Sequence, residues 1–599
     1  MKLKVALAQI KTITGDLFAN TNKILEAIQK AEESGADIVV LPETAISHYC
    51  CGDLFLHNGF INHQLEFLHK KIIPFTKDKN VCVLLGFVDR KGIEKDGFPI
   101  LYNSCAVIQN GLMQTYDKIL LARRGQHEDT RYFEPGDEIK VFDLDIRGQK
   151  LKFSPVICQD IWNNECKRDI VKECVDKGAK FVVALNQSYY YFGKQYNRKR
   201  LISDHCLNNK IPMVYLNSLG VGDITKNVII YSGESFICNE IGNVVDECKS
   251  FEEDLKIVDL HIDNPIMDKV LQFRNEFYDH KLNKNEKYEE IFHALKFSAK
   301  EFFDACGLKH PMVYVSGGVD SALVSVIIAK SFDPKDVIFV SSPTEDNGNI
   351  TKGNAQQIAD NLGVKLYWAS MQEAYTGFIE GYKKCFNEEP SPISKASFQA
   401  VGRTAQSIGI SHRFGAVGNV GCSNHTENIL GFSAFHDVAN SSAIGLINDL
   451  TKIEIYEFCS FLNEYFKTEL IPRGLYDGTI KPMAELSDNK GEDPYDYTLY
   501  APICSCLIRY QMDAKELIDS FKTKNLNVEE FVLWPNGKSV YDNVSFEEFE
   551  KAVWNCFRLS KKSVFKSASA GPTVIISPIS RGFSSRETLI NQYRGSYSI

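Results

Sequence analysis

Residues 315–323 read VSGGVDSAL. A short apolar run, Met312-Val313-Tyr314-Val315, leads into them, and a longer one, Leu323 to Ala329, leaves them. The pattern predicts a strand feeding a helix through a glycine-rich turn. Such a turn leaves several backbone N–H groups without partners at the helix N-terminus. They face a common point, with the helix dipole behind them. Glycines let the backbone approach closely, and Ser316 and Ser321 add hydroxyl donors, so the turn is a cradle for phosphate. It is not the Walker loop: GxxxxGK[ST] is absent, and the only GKS, Gly537-Lys538-Ser539, has Val532 where the first glycine belongs. The dinucleotide fingerprint GxGxxG is missing as well. Asp320 is the informative residue, because a carboxylate in a phosphate site repels its ligand unless a divalent cation stands between them. Ser316, Gly317, Gly318, Asp320 and Ser321 are therefore expected to hold a Mg²⁺-bound nucleotide pyrophosphate. The bland alternative is an ordinary glycine turn in which Asp320 caps the helix.

The turn lies halfway along 599 residues, with a full domain's worth of chain in front of it. Strand candidates in that front part are 4–10, 37–43, 81–87, 104–111, 154–160, 179–188, 211–217, 234–240 and 255–262, several rich in Val and Ile. Helical spacing appears between some of them, as in 20–34, which predicts a layered α/β domain. We place this domain at 1–265, a polar linker at 266–285 and a second α/β domain at 286–599, of the doubly wound parallel kind and ending in an extended tail. The second domain's elements follow from the strand at 312–315, a helix over 321–332, a strand at 337–341 and a helix at 353–362 closed by Gly363.

Composition narrows the function classes. A net charge of −9 argues against a non-specific nucleic-acid binder. The chain has 17 cysteines, an odd number, and no CxxC pair, so neither a disulfide framework nor a zinc ribbon fits; a reducing cytoplasm is expected. No run reaches the length of a membrane helix, so no membrane partner is expected.

Three sequences of the front domain carry chemistry: Val40-Leu41-Pro42-Glu43, Tyr116-Asp117-Lys118 followed by RYFEPG at 131–136, and Val156-Ile157-Cys158-Gln159-Asp160-Ile161-Trp162. Two of them end strands, one in a carboxylate and one in a thiol. A thiol needs a base to take its proton and a cation to stabilise the charge that develops. Spacing alone does not bring the three together, and each has a bland reading as core cysteine or surface charge. Their order, however, resembles that of the nitrilase (carbon–nitrogen hydrolase) superfamily over roughly residues 3–262. That resemblance implies an αββα sandwich with Cys158 as nucleophile, Glu43 as general base and Lys118 as stabilising cation. A second carboxylate, where one is invoked in such sites, would fall at Asp129 or Glu128. Leu185-Asn186-Gln187-Ser188 with Lys194 and Arg198 resembles the glutaminase members, which implies that Ser188 and Lys194 line a glutamine pocket.

SGGxDS in turn resembles the signature of ATP pyrophosphatases, which split ATP into AMP and pyrophosphate. An amidase of nitrilase type ahead of such a domain is similar to the glutamine-dependent NAD synthetase family over essentially the whole chain. Further short matches agree: Ser342-Pro343-Thr344, Asn424-His425-Thr426-Glu427, Phe435-His436-Asp437, Leu450-Thr451-Lys452, and Met483-Ala484-Glu485-Leu486 before Glu492-Asp493-Pro494-Tyr495. Val401 and His425 stand where that family more often has Arg and Lys.

The resemblance implies that Thr426 contacts ATP, that Asp437 and Lys452 face the dinucleotide or the reacting phosphate, and that Asp320 and Glu427 hold Mg²⁺. It also implies nicotinic acid adenine dinucleotide, ATP and glutamine as substrates, a sealed path for ammonia, and a homo-oligomer, octamers being known in the family. The rival readings are a related amidotransferase acting on another carboxylate or nucleotide, a plain amidase whose rear domain only binds nucleotide, and an inactive binding protein.

Overall fold

The computed structural model describes residues 2–578 except 124–125, 147, 163–167, 224, 263–281, 435, 483–492, 511, 527–530, 532–538 and 568–569. Most of the expected linker therefore lies outside the described residues, as do Phe435, Met483–Leu486, Glu492 and the end of the tail. By packing, the chain divides into two units: Met1–Ile224 with Ile229–Lys287, and Thr225–Val228 with Tyr288–Ile599.

The first unit is a sandwich of two six-stranded mixed sheets. One has the order β14-β1-β2-β3-β4-β5, from Asp254–His261, Lys2–Gln9, Ile38–Val40, Cys82–Ile93, Pro99–Gln109 and Leu112–Asp117. The other is β13-β12-β9-β8-β7-β6, from Val244–Glu247, Phe236–Cys238, Met213–Asn217, Phe181–Asn186, Gln149–Ile157 and Phe142–Ile146. Strand periodicity builds the layers. In β1, Leu3, Val5 and Leu7 enter the core shared with Val156, Phe181 and Leu216 of the facing sheet. Ala6 and Ala8 point the other way, into a second core with Ile24, Ala27 and Ile28 of the helix Leu17–Glu33. The helices Ile170–Asp176 and Lys194–Asn209 bring Ile170, Cys174 and Ile202 against the second sheet, completing an αββα order. The parallel pairs β1–β2–β3 and β7–β8–β9 sit in the middle of their sheets, so several strands end side by side.

The second unit is wound around parallel strands in the order β20-β19-β18-β15-β16-β17: Thr573–Ile575, Ile444–Gly445, Val417–Gly421, His310–Tyr314, Ile338–Ser341 and Leu366–Trp368. The chain starts at β15, runs outward through β16 and β17, then returns to β18 on the other side. The reversal leaves a crevice at the carboxyl ends of β15 and β18, which is where ligands bind in open α/β sheets. The helix Val319–Ala329 follows β15 directly and is apolar nearly all round, as a helix buried on most faces must be.

No helix among the described residues is long and apolar enough to cross a membrane. Every described cysteine is a free thiol.

Candidate active sites

In the first unit the fold gathers the strand ends. Glu43 follows β2, Lys118 follows β5, Cys158 follows β7 and Ser188 follows β8. Lys118 Nζ lies 2.9 Å from Glu43 Oε1 and 2.8 Å from Asp129 Oδ2, and all three side chains are essentially sealed from water. Glu43 also accepts from Asn103 Nδ2 at 2.7 Å and from the Gln187 backbone N–H at 2.6 Å. Both carboxylate oxygens are thereby aimed. Gly86 of β3 passes directly beneath: a Cβ there would meet Pro42 O and Thr44 N at 2.4 Å, so only glycine lets the strand support the Glu43 backbone this closely.

Cys158 is buried and opens a single 3₁₀ turn with φ +42°, in the left-handed region that a cysteine rarely adopts. Asp160 holds the turn in place. Its Oδ2 accepts from the Ile157 N–H and the Tyr116 hydroxyl, both at 2.9 Å, and its Oδ1 accepts from the Ile119 and Leu120 N–H groups at 3.1 and 2.8 Å. The cysteine turn is thus tied to the segment that begins at Lys118. Burial pushes the Cys158 thiol upward. Glu43 and Asp129 add to that effect, while Lys118 and, more weakly, Lys194 oppose it. Burial works against the Lys118 charge, yet the Asp129 and Glu43 carboxylates outweigh it and hold its pKa well above the ordinary lysine value. The site is therefore a neutral thiol beside a permanent cation and two anions.

Ser188 follows β8, and Lys194 opens the helix Lys194–Asn209. The Ser188 N–H donates to Asn217 Oδ1 at 2.9 Å, and Ser188 O accepts from Arg198 Nη2 at 2.6 Å. Arg198 is itself buried and paired with Glu234 at 3.0 Å. Lys194 Nζ donates to Tyr189 O at 2.7 Å, sits 3.7 Å from the Tyr189 ring centre, and has its pKa pulled well down by burial and by Arg198. Sequence reasoning left the second carboxylate open between Asp129 and Glu128; the structure places Asp129 on Lys118. It missed Tyr49, whose hydroxyl donates to Asp129 Oδ1 at 2.6 Å. No local pattern flags a tyrosine eighty residues upstream of its partner.

In the second unit the 316–321 turn has the predicted form. Gly317 sits at φ +86°, and a Cβ there would lie 2.0 Å from Thr351 O. Gly318 caps the helix Val319–Ala329 in extended conformation. The serines bond within the turn: Ser316 Oγ meets Ser321 Oγ at 3.1 Å and accepts from the Gly318 N–H at 3.2 Å. Across the crevice, Asn424 Nδ2 donates to Asp320 Oδ1 at 2.8 Å, and Lys452 Nζ bridges Asp320 Oδ2 at 2.6 Å and Glu427 Oε1 at 2.8 Å. Burial raises Glu427 to about 7, with Lys452 opposing and Asp320 adding to the rise. Burial opposes the Lys452 charge, but Asp320 and Glu427 outweigh it and hold its pKa well above the usual value.

Two of the expected ligand contacts serve the protein itself here. The Thr426 hydroxyl accepts from the Lys452 N–H at 3.2 Å. Asp437 accepts from the Ala434 and Asn440 N–H groups at 3.1 and 2.8 Å, closing its own loop.

Among the described residues no cluster of three or more His, Cys, Asp or Glu side chains makes a self-contained metal cage. Two carboxylates converging on one cation position suit Mg²⁺ instead, which uses one or two carboxylates and completes its shell with phosphates and water.

The model of the carbon–nitrogen hydrolase family matches residues 4–264, and that of the NAD synthase family matches residues 291–532. The chain is therefore a carbon–nitrogen hydrolase unit joined to an NAD synthase unit. A glutamine-dependent NAD(+) synthetase of Thermotoga maritima is 28% identical over 524 residues, covering 83% of this chain and 87% of the relative. One from Synechocystis is 26% identical over 534 residues, covering 86% and 90%. In fold, the chain matches the crystal structure of a glutamine-dependent NAD(+) synthetase from Cytophaga hutchinsonii with a TM-score of 0.76 at 18% identity, over 97% of this chain and 96% of that one. An Acinetobacter baumannii enzyme solved with ADP matches with a TM-score of 0.69 at 23% identity, over 99% of both chains. The chain belongs to the glutamine-dependent NAD synthetase family.

Proposed function

We propose that the chain makes NAD from nicotinic acid adenine dinucleotide, ATP and glutamine, with the first unit releasing ammonia and the second using it. The observation that carries this reading is the presence in one chain of two different sites: a buried thiol among Lys118, Glu43 and Asp129, and a glycine–serine turn beside Asp320, Glu427 and Lys452.

In the first unit Cys158 Sγ attacks the glutamine carboxamide carbon. Its raised pKa keeps the thiol neutral until then, so the proton moves to Glu43 during attack, and Glu43 passes it to the leaving nitrogen. The Lys118 ammonium faces the oxyanion. Asp129 and Tyr49 keep Lys118 charged and aimed. Water, deprotonated by Glu43, then cleaves the thioester and frees glutamate. Ser188 and Lys194 line the glutamine pocket.

In the second unit the dinucleotide's carboxylate attacks the α-phosphorus of ATP and pyrophosphate leaves. Ammonia then displaces AMP from the adenylate, giving NAD. The N–H groups and hydroxyls of Ser316, Gly317, Gly318 and Ser321 bind the leaving pyrophosphate. Lys452 offsets the charge developing on the α-phosphate, and Thr426 fixes the Lys452 backbone beside the bound ATP. Asp437 shapes the dinucleotide side through its loop. Asp320 and Glu427 would hold Mg²⁺, which when bound would neutralise phosphate charge. Domain limits of 1–265 and 286–599 with a linker between, a cytoplasmic location and a homo-oligomer complete the reading.

The test is NAD formation from the dinucleotide, ATP and Mg²⁺ with either glutamine or ammonia, comparing wild type with Cys158→Ala. The variant is expected to lose glutamine use and keep ammonia use. A wild type that makes no NAD with either donor overturns the substrate assignment.

A further inference from the structure

His127 packs between Tyr49 and Tyr189 beside the thiol site, and the mechanism above leaves it idle. Its ring packs edge-on against Tyr49, with centres 5.6 Å apart, and tilts against Tyr189 at 5.0 Å. Both neighbours are anchored in the site. Tyr49 donates to Asp129, which holds Lys118, and Tyr189 follows Ser188 and carries Lys194 on its face. Imidazole, phenol ring and ammonium thus form a row running from Asp129 to Lys194. Cys158 lies within electrostatic reach of Lys194, and His127 within reach of Lys194, Asp129 and Lys118.

Two aromatic walls fix the plane of the imidazole and leave its edge. His127 is half-buried, and among the described residues none hydrogen-bonds to its ring nitrogens. Burial above all, with Lys194 and Lys118 adding to it and Asp129 opposing, holds the ring's pKa near 3. At neutral pH the imidazole is therefore uncharged, offering one N–H donor and one lone pair. An uncharged donor next to Lys194, whose depressed pKa an arriving carboxylate would raise again, is complementary to a carboxylate. The reacting carboxamide has to lie at Cys158, Glu43 and Lys118, so what reaches this row is the other end of the substrate.

Resting on the glutaminase reading, we infer that His127 is a specificity residue that donates a hydrogen bond to the α-carboxylate of glutamine, beside Lys194.

The test uses the full-length protein with saturating ATP, Mg²⁺ and nicotinic acid adenine dinucleotide. His127→Phe keeps both aromatic contacts and removes the nitrogens; His127→Asn restores a donor. For His127→Phe, KM for glutamine in glutamate release is expected to rise about tenfold, as loss of a hydrogen bond to a charged group implies, with kcat within about threefold of wild type. His127→Asn recovers part of that rise. Alkylation of Cys158 by iodoacetamide, an amide with no amino-acid end, proceeds at the wild-type rate in His127→Phe. An unchanged KM overturns the inference. So does an equal loss in glutamine use and in alkylation, which marks a merely structural role. A wild type that releases no glutamate brings down the glutaminase reading itself, a result separate from either of these.

Discussion

Gly317→Ala separates backbone geometry from side-chain chemistry at the phosphate turn. Gly317 occupies φ +86°, a conformation that costs an L-residue about 1–2 kcal/mol. Its new Cβ would stand 2.0 Å from Thr351 O, so turn and helix must part by roughly 1.4 Å to reach ordinary contact. Thr351 lies in the first turn of the helix Asn349–Leu362, and its carbonyl has no freedom to swing aside. The strain therefore falls on the turn, which carries Ser316 and Gly318 with it. A displacement of that size at a positioning element lowers turnover about 100-fold. Gly318→Ala is the matched control: its φ is −92°, and the nearest atom to a new Cβ is Ser316 Oγ at 3.4 Å. We expect Gly317→Ala to lose about 2–3 kcal/mol of stability and Gly318→Ala under about 1 kcal/mol. The assay is ammonia-dependent NAD formation at saturating ATP, which bypasses the glutamine site, run beside thermal unfolding of both variants. Equal losses in the two variants, or a wild-type rate in Gly317→Ala, would refute the reasoning.

Two further outcomes follow from the charge clusters. Asp129→Asn removes one of the two carboxylates that pair with Lys118 among the described residues, so Glu43 becomes a tighter captive of the cation; glutamate release should fall about 10–100-fold with KM for glutamine little changed, and steady-state kinetics reads the split. Glu427 is held up to about 7 by burial, so above the ordinary carboxylate value the folded chain binds a proton that the unfolded chain has released. Its contribution to stability is then full at low pH and is lost as pH rises through about 7. In metal-free protein, wild type should lose stability relative to Glu427→Gln between about pH 5 and pH 8, and Mg²⁺ should recover it at the upper pH, measured by urea unfolding. A pH-independent difference between the two proteins contradicts this.

The layers were legible because burial on one face imposes alternation: β1, β2, β3, β7, β8, β9 and β14 all overlap runs that read as strands. Strands such as Phe142–Ile146 and Val244–Glu247 were not, since FDLDI alternates carboxylates and VVDE ends in two, so that both look like loop. The glycine turn was readable to the residue because only glycine satisfies both the φ and the close approach at 317. The charged residues at strand ends were named from order along the chain, but their partners were not. Asp129 reaches Lys118, and Asn424 reaches Asp320, through tertiary contacts that leave no local periodicity. Thr426 and Asp437 also accept backbone N–H groups of the protein, an internal role that the sequence pattern alone does not announce.

Both sites are built on one device, a buried lysine shared by two carboxylates, and exposure separates their uses. Around Lys118 the three side chains are 1%, 1% and 0% exposed. Around Lys452 the ammonium is 3% exposed, but Asp320 and Glu427 are each 18% exposed. In the sealed cluster no solvated ion can compete for the carboxylates, so the cation is permanent and preorganised, as the proposed stabilisation of an oxyanion at Cys158 would require. In the open cluster each carboxylate keeps a face toward the crevice, and Lys452 is a partner that an incoming divalent ion with its phosphates can displace from one of them. On the proposed reading, the same pairing chemistry serves a fixed electrostatic site in one unit and an exchangeable one in the other, the difference lying in how far each strand end is covered.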